Sequence, residues 1–194
     1  MKLKEMETDF LGKTIKHYHA IDSTQTQIWR LVKSHNIING TVVIADIQTA
    51  GKGTHGRVWH TDETGNVAFS MYIETNCNIE QIEGITLEIA EVIVNIFKEK
   101  YNIELEIKPP NDIVYNNKKI GGILTECQTI CKNVKNLVIG IGINLIQENF
   151  SEDIENIATS IKKEFGIKID NLELIMQFCN KFEKIIKRRG IIWK

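Results

Sequence analysis

The chain has 194 residues, 42% hydrophobic and 25% charged, with 24 Lys+Arg against 25 Asp+Glu and a formal net charge of −1. That length fits one domain over residues 1–194 with a core of its own, and the balanced charge offers no basic footprint for nucleic acid or an anionic membrane. No apolar run reaches the roughly 18 residues of a membrane span, and Met1-Lys2-Leu3-Lys4-Glu5 leads into no signal-peptide core, so a cytoplasmic protein is expected.

Thr14–Ala20 reads as a strand. Asp22-Ser23-Thr24 then offers helix caps, and Ile28, Leu31, Val32 and His35 follow at helical spacing. Thr41–Ile47 is a β-rich apolar run, a buried strand that feeds straight into a glycine-spaced loop. Thr64-Gly65-Asn66 is a turn, and Val67–Ile73 resumes extended structure. Ile82, Ile85, Ile89, Val92/Ile93 and Ile96 predict a long amphipathic helix. Ile103, Leu105 and Ile107 alternate with Glu104 and Glu106, the pattern of a half-exposed strand. Asn116-Asn117 fits a two-residue hairpin turn between Ile113–Tyr115 and a strand that begins near Lys119. Leu137–Ile143 is a last central strand. Asp170 with Glu173 predicts a capping box for a helix through Leu172, Ile175, Phe178/Cys179, Phe182 and Ile185/Ile186. No repeat or linker divides the chain. The expected fold is α+β, a mixed, largely antiparallel sheet flanked by helices. Cys77, Cys127, Cys131 and Cys179 are expected as free, mostly buried thiols.

Three segments carry chemistry. Gly51-Lys52-Gly53-Thr54-His55-Gly56-Arg57-Val58-Trp59 matches a dinucleotide fingerprint by letter, but no helix opens after it, and that fingerprint needs one. A kinase reading lacks the downstream His-Arg-Asp and Asp-Phe-Gly, and a Walker loop would need Lys-Ser/Thr after the last glycine. What remains is physical: close glycines bring N–H groups to an anion, Lys52, His55 and Arg57 add charge, and Trp59 offers a flat face. Taken alone, the loop reads as a flexible surface hairpin with solvated charges. Lys108-Pro109-Pro110-Asn111-Asp112 is a stiff corner that presents a carboxylate, the kind of single ligand magnesium takes beside phosphates; alone, it reads as a cap-and-turn. Lys119 precedes Gly121-Gly122, where missing side chains leave room for a ligand, and Asn144 closes the last strand. His17 and His19, two apart on the first strand, lack a third ligand in view and read as core or surface histidines.

In order, these segments resemble the catalytic domain of biotin protein ligases, a fold of the class II aminoacyl-tRNA synthetase/biotin synthetase kind. The family pattern runs Ser-Thr-Asn, Gln-x-x-Gly-Arg-Gly-Arg-x-Gly-Arg-x-Trp, Lys-Trp-Pro-Asn-Asp, Lys-x-x-Gly-Ile-Leu and Gly-x-Gly-x-Asn. This chain has Ser23-Thr24-Gln25, Gln48 to Trp59, Lys108 to Asp112, Lys119 to Leu124 and Gly140 to Asn144. The resemblance implies an ATP-dependent ligase that forms biotinyl-5′-AMP and biotinylates a lysine of a biotin carboxyl carrier protein. It further implies that Ser23, Thr24 and Gln48 bind the ureido ring, with Gly51, Gly121 and Gly122 framing the pocket. Lys52 and Lys119 would meet the biotin carboxylate and the α-phosphate. Arg57, Trp59, Lys108, Asn111 and Asn144 would hold ATP, and Asp112 would help place Mg2+.

The chain departs from the pattern at several positions. Lys52 replaces Arg, Thr54 and His55 replace a basic stretch, Gln25 replaces Asn and Pro109 replaces Trp. Lysine keeps charge without the bidentate fork, so the loop is expected to release biotinyl-AMP faster than an arginine loop; an equally slow off-rate would refute this. About 15 residues precede the first strand and none remain for a small C-terminal barrel, so neither a helix-turn-helix nor a repressor role is expected. A lipoate or octanoate ligase or transferase shares the fold but should show an Arg-Arg-x-Ser-Gly-Gly-Gly loop, which is missing. A non-catalytic binding remnant is the other alternative, and the presence of Lys119 and Asp112 argues against it. Monomer and homodimer stay open.

Overall fold

The structure is a computed structural model that describes residues 6–61 and 65–191. The chain start and Thr64 of the expected turn lie outside the described residues; Gly65 is in a turn, with φ 103°. The strands are β1 (Ile15–Ile21), β2 (Val42–Lys52), β3 (Val58–Thr61), β4 (Val67–Asn78), β5 (Glu106–Lys108), β6 (Asp112–Tyr115), β7 (Lys118–Ile130) and β8 (Asn133–Ile143). The helices are α1 (Thr24–Lys33), α2 (Ile85–Tyr101), α3 (Ile161–Phe165) and α4 (Asn171–Arg188). The strands form one sheet in the order β1-β2-β4-β8-β7-β6-β5, with β3 paired to β2. Among the described strands only the β1–β2 pair is parallel, with α1 as its connection. The α+β expectation with a mixed, mostly antiparallel sheet is therefore met.

Alternation along the strands gives the sheet two unlike faces. Val42, Ile44, Phe69, Met71, Ile73, Ile139, Ile141 and Ile143 all join one buried cluster with the apolar sides of α2 and α4. The other face meets α1 through Val43, Tyr72 and Val138, which pack on Ile28 and Leu31. Beyond α1 this second face carries Ser70, Gly140, Gly142 and Gly122, side chains too small to fill it. The sheet is left bare there, and the pocket forms over it.

Local chemistry explains the element ends. Ser23 caps α1 by accepting from Thr26 N, and Asp170 caps α4 by accepting from Leu172 N and Glu173 N. Glu173 does not complete the expected box; its carboxylate pairs with Lys100 on α2 instead. Asn116 and Asn117 both have positive φ, 48° and 64°, which is the geometry of a tight hairpin turn. Some expected boundaries shift. Helix α1 ends at Lys33, and His35 lies beyond it with φ 54°. The helix foreseen from Ile82 begins at Ile85, because Ile79–Ile82 forms a separate 3-10 turn and Gly84 takes the left-handed cap position. Ile103 and Leu105 are buried but outside a strand; only Glu106–Lys108 pairs, against β6. Of the free cysteines, Cys77 and Cys179 are buried, but Cys127 and Cys131 are exposed, since they lie at the solvent end of the long β7–β8 hairpin. His17 and His19 share the carboxylate of Asp46, at 2.7 and 3.3 Å.

One long-range feature has no motif in the sequence. Glu183 on α4 is 2% exposed, and its carboxylate accepts the backbone N–H groups of Asp9 (2.7 Å), Phe10 (3.1 Å) and Leu11 (2.9 Å). Lys187 pairs with it at 2.6 Å. A buried charge is tolerated only when it is paired and hydrogen-bonded in this way. The N-terminal segment is thereby tied across the last helix. No described helix is long and apolar enough to cross a membrane.

Candidate functional site

The floor of the site is set by register. Ala68, Gly142, Gly122 and Asp112 stand in one row across β4, β8, β7 and β6, and Ser70, Gly140 and Leu124 form the next row. Asp112, the first residue of β6, therefore faces the same side as the two glycines. Lys119 reaches that side by a β-bulge. Ile113 pairs with Gly121 and Val114 with Lys119, so Ile120 is an extra residue on β7. Without it, Lys119 and Gly122, three apart, would project to opposite faces. With it, Lys119 Nζ lies 2.6 Å from Asp112 Oδ1 and 5.6 Å from the centroid of the Trp59 ring.

Two cavities meet at this group. The inner one, about 430 Å³, is lined by Ser23, Thr24, Gln25, Gln48, Lys52, Ser70, Asn111, Gly122 and Gly140, among others. The outer cleft, about 1130 Å³, is lined by Arg57, His60, Lys108, Asp112 and Asn144, with Gln147, Phe150, Ile154, Ile157 and Ala158 on the far side. Gly53, Thr54, Trp59 and Lys119 border both. The inner cavity is mostly uncharged, with polar side chains facing apolar ones such as Phe69, Ile123 and Ile141, and the outer one is rimmed by cations with one carboxylate. A neutral ring with an acidic tail and a polyphosphate could meet at Lys119.

The polar end of the inner cavity is preorganised. Gln48 Oε1 accepts from Thr24 N (2.8 Å) and Thr24 Oγ1 (3.1 Å), while Gln48 Nε2 donates to Thr61 Oγ1 at 3.2 Å. Thr24 Oγ1 is also 2.8 Å from Ser70 Oγ. Lys108 pairs with Asp112 across the Pro109-Pro110 corner. Asn111 Nδ2 donates to Ile123 O at 3.2 Å, which holds the residue on the inner cavity and not on the outer, where an ATP role was expected. Gly51 and Gly121 line neither cavity. A Cβ on Gly51 would lie 2.2 Å from Trp59 O, and one on Gly121 would lie 3.1 Å from Gly142 O, so both support the floor from behind. The remaining expected residues line the inner cavity, the outer cleft or both.

The segment from Asn144 to Ser160 supplies a wall that sequence reasoning missed. Lys119 N donates to Ile157 O at 2.7 Å and Thr159 N to Lys119 O at 2.9 Å, while Asn144 Nδ2 donates to Thr159 O at 3.1 Å. Asn66 Oδ1 accepts from Leu145 N and Ile146 N at 2.9 and 3.0 Å. Irregular backbone of this kind has no periodicity to read; its apolar residues, Leu145, Ile146, Phe150, Ile154 and Ile157, fall at no regular spacing. Trp59 in turn rests flat on bare backbone. A Cβ on Gly142 would fall 2.2 Å from Trp59 Cε2, so a methyl there and the indole in this position exclude each other. Gly142→Ala is expected to expel the indole and red-shift tryptophan emission; in a Trp59→Phe background the same change should leave emission unaltered.

Comparison with known proteins agrees with this layout. Residues 18–144 match the biotin/lipoate A/B protein ligase family. The bifunctional ligase/repressor BirA of Bacillus subtilis is 36% identical over 181 residues, 92% of this chain and 55% of that protein. This chain spans about half the length of the bacterial ligase/repressors it matches. A structure of the biotin protein ligase from Aquifex aeolicus in complex with biotin and ATP superposes with TM-score 0.76 at 29% identity, covering 91% of this chain and 71% of that one. At 16% identity and TM-score 0.60, P. falciparum LipL1 in complex with lipoate shares the fold. With a family match across most of its length, and with the matched motifs gathered on one bare sheet face, the chain belongs to the biotin/lipoate A/B protein ligase family.

Proposed function

We propose that the chain activates biotin with ATP as biotinyl-5′-AMP and transfers biotin to a lysine of a biotin carboxyl carrier protein in the cytoplasm. The observation that carries this reading is the junction at Lys119, where a mostly uncharged cavity opens into a cationic cleft. Ser23, Thr24 and Gln48 hold the ureido end, with Gly122 keeping the floor open. Arg57, Trp59, Lys108 and Asn144 hold ATP, and Lys52 and Lys119 stand where the biotin carboxylate meets the α-phosphate.

The chemistry needs little more than placement and charge. A carboxyl of pKa about 4 is already ionised at neutral pH, so biotin needs no base to become a nucleophile. Its carboxylate oxygen attacks the α-phosphorus, the α–β bridging bond breaks, and pyrophosphate leaves with the electron pair. Lys52 and Lys119 shield the two anions from each other and stabilise charge in transit. Magnesium enters with ATP as part of the substrate. A lone Asp112, with no cluster of three potential ligands among the described residues, suits an ion that takes most of its ligands from phosphates and water. In the second half, the acceptor amine attacks the acyl carbon and AMP leaves. That amine must lose a proton, and Asp112 is the candidate acceptor for it.

The lipoate reading is the weaker one. Proteins and structures named as biotin protein ligases match this chain at up to 29% identity, and the lipoate-bound neighbour, at 16%, is more distant. Incubation with labelled biotin, ATP, magnesium and a biotin carboxyl carrier domain is expected to label the domain. Its acceptor Lys→Arg variant should stay unlabelled. Labelling that ignores that substitution, or no labelling at all, would count against transfer.

A further inference from the structure

The ladder of β8 ends at Ile143, which pairs with Val67 on one side and Gly121 on the other. Beyond it the chain leaves the sheet to form the wall of the outer cleft, and its backbone groups need partners of another kind. The carbonyls find theirs at the start of α3, where Ile161 N donates to Asn144 O at 3.0 Å and Lys162 N to Leu145 O at 2.8 Å. The N–H groups of Leu145 and Ile146 both go to one side-chain atom, Asn66 Oδ1, at 2.9 and 3.0 Å. Asn66 immediately precedes Val67, so register places it beside the point where β8 stops. It is 2% exposed, and without it two N–H groups at that bend would lose their acceptor.

The same amide reaches further along the wall. Asn66 Nδ2 donates to Gln147 Oε1 at 3.2 Å, and Gln147 Nε2 donates to Asn149 O at 3.1 Å. Turning the Asn66 amide over would aim its NH2 at two N–H groups, so the bonds run in one direction only. Gly65 adds a contact from the same turn, since a Cβ there would stand 2.9 Å from Ile146 Cδ1. One side chain thus holds residues 79 to 81 positions away. What hangs on it is confined to one half of the site. Asn144, Gln147, Phe150, Ile154, Ile157 and Ala158 line the outer cleft, and no residue of this wall lines the inner cavity.

We propose that Asn66 is a positioning residue for the nucleotide half of the site, holding the wall in the shape that receives ATP and leaving the biotin cavity untouched. Asn66 lines neither cavity; it acts through Gln147 and the backbone of Leu145 and Ile146. A wall already fixed loses less freedom when ATP binds than a loose one does. The assignment rests on the biotin-activation reading above, and the test separates the two.

Biotin-dependent pyrophosphate exchange by the full chain reads the ATP dependence, and calorimetry without ATP reads biotin affinity. Asn66→Leu is expected to raise KM for ATP about tenfold or more, to lower kcat less than about threefold and to keep biotin affinity within about twofold of native. Asn66→Asp keeps an acceptor for both N–H groups and should hold KM for ATP within about threefold of native. A fault in the fold alone would weaken biotin and ATP together. If Asn66→Leu does not fold, hydrogen exchange on the native chain decides the matter. The Leu145 and Ile146 amides should be protected in the biotin complex and exchange more slowly still when α,β-methylene ATP is added. Unprotected amides, amides indifferent to the analogue, an unchanged KM for ATP in Asn66→Leu, biotin affinity lost in step with ATP, or Asn66→Asp as impaired as Asn66→Leu overturns the assignment while the biotin reading stands. A native chain without biotin-dependent exchange overturns both.

Discussion

Lys119→Gln is expected to lower biotin-dependent adenylation about 100- to 1000-fold, the usual loss when one preorganised charge or donor is removed from a developing anion. Lys119 borders both cavities, and its ammonium reaches Asp112 and the face of Trp59. Glutamine keeps most of the length but none of the charge. The fold should be little affected. The Lys119 side chain is 32% exposed and that of Asp112 is 22% exposed, so the pair adds at most about 1 kcal/mol to stability, or a few degrees in Tm. A variant that melts like the native chain but adenylates slowly would assign the loss to chemistry. Adenylation within threefold of native would remove Lys119 from the reaction.

Glu183→Leu is expected to give the largest loss of stability, about 3–5 kcal/mol, because it leaves three N–H groups and Lys187 without their shared partner. Urea unfolding reads this directly, and a loss under about 1 kcal/mol would contradict it. The same residue has a pH signature. Burial pushes the Glu183 carboxyl up, but Lys187 and the N–H groups of Asp9, Leu11 and Phe10 together outweigh it and hold the pKa below its ordinary 4.5. A carboxylate with a lowered folded pKa stabilises fully above its unfolded pKa, and the contribution disappears as pH falls through the folded value. The stability gap between the native chain and Glu183→Gln should therefore be constant above pH about 5 and shrink on further acidification. A gap that widens toward acid would show that the sign is wrong.

Much of the fold was legible because local periodicity and local chemistry agreed. The Asn116-Asn117 turn, the α4 apolar stripe with its Asp170 cap, and the apolar runs of β2 and β8 needed only near neighbours to define them. The motif residues were legible as types with a chemistry. Their meeting was less so, since it depends on register. Nothing near Lys119 announces that Ile120 is bulged out, yet that single extra residue turns the lysine onto the face of Gly122 and Asp112. Ser70 looked like one more polar position in a strand until pairing set it beside Gly140 under Thr24. Gln25 is legible as a departure from the family pattern, but its contact with Glu126, 101 residues away, is not. The wall after Asn144 and the Glu183 strap are contacts between segments without periodicity or at long separation, which pattern reading cannot pair.

Biotin-dependent exchange of labelled pyrophosphate into ATP, with magnesium and with lipoate in a parallel reaction, tests the central claim most directly. Exchange with biotin and none with lipoate is the predicted result, because the adenylate forms reversibly where the inner cavity meets the cationic cleft. Exchange with lipoate alone, or with neither acid, would contradict the assignment of this site to biotin activation.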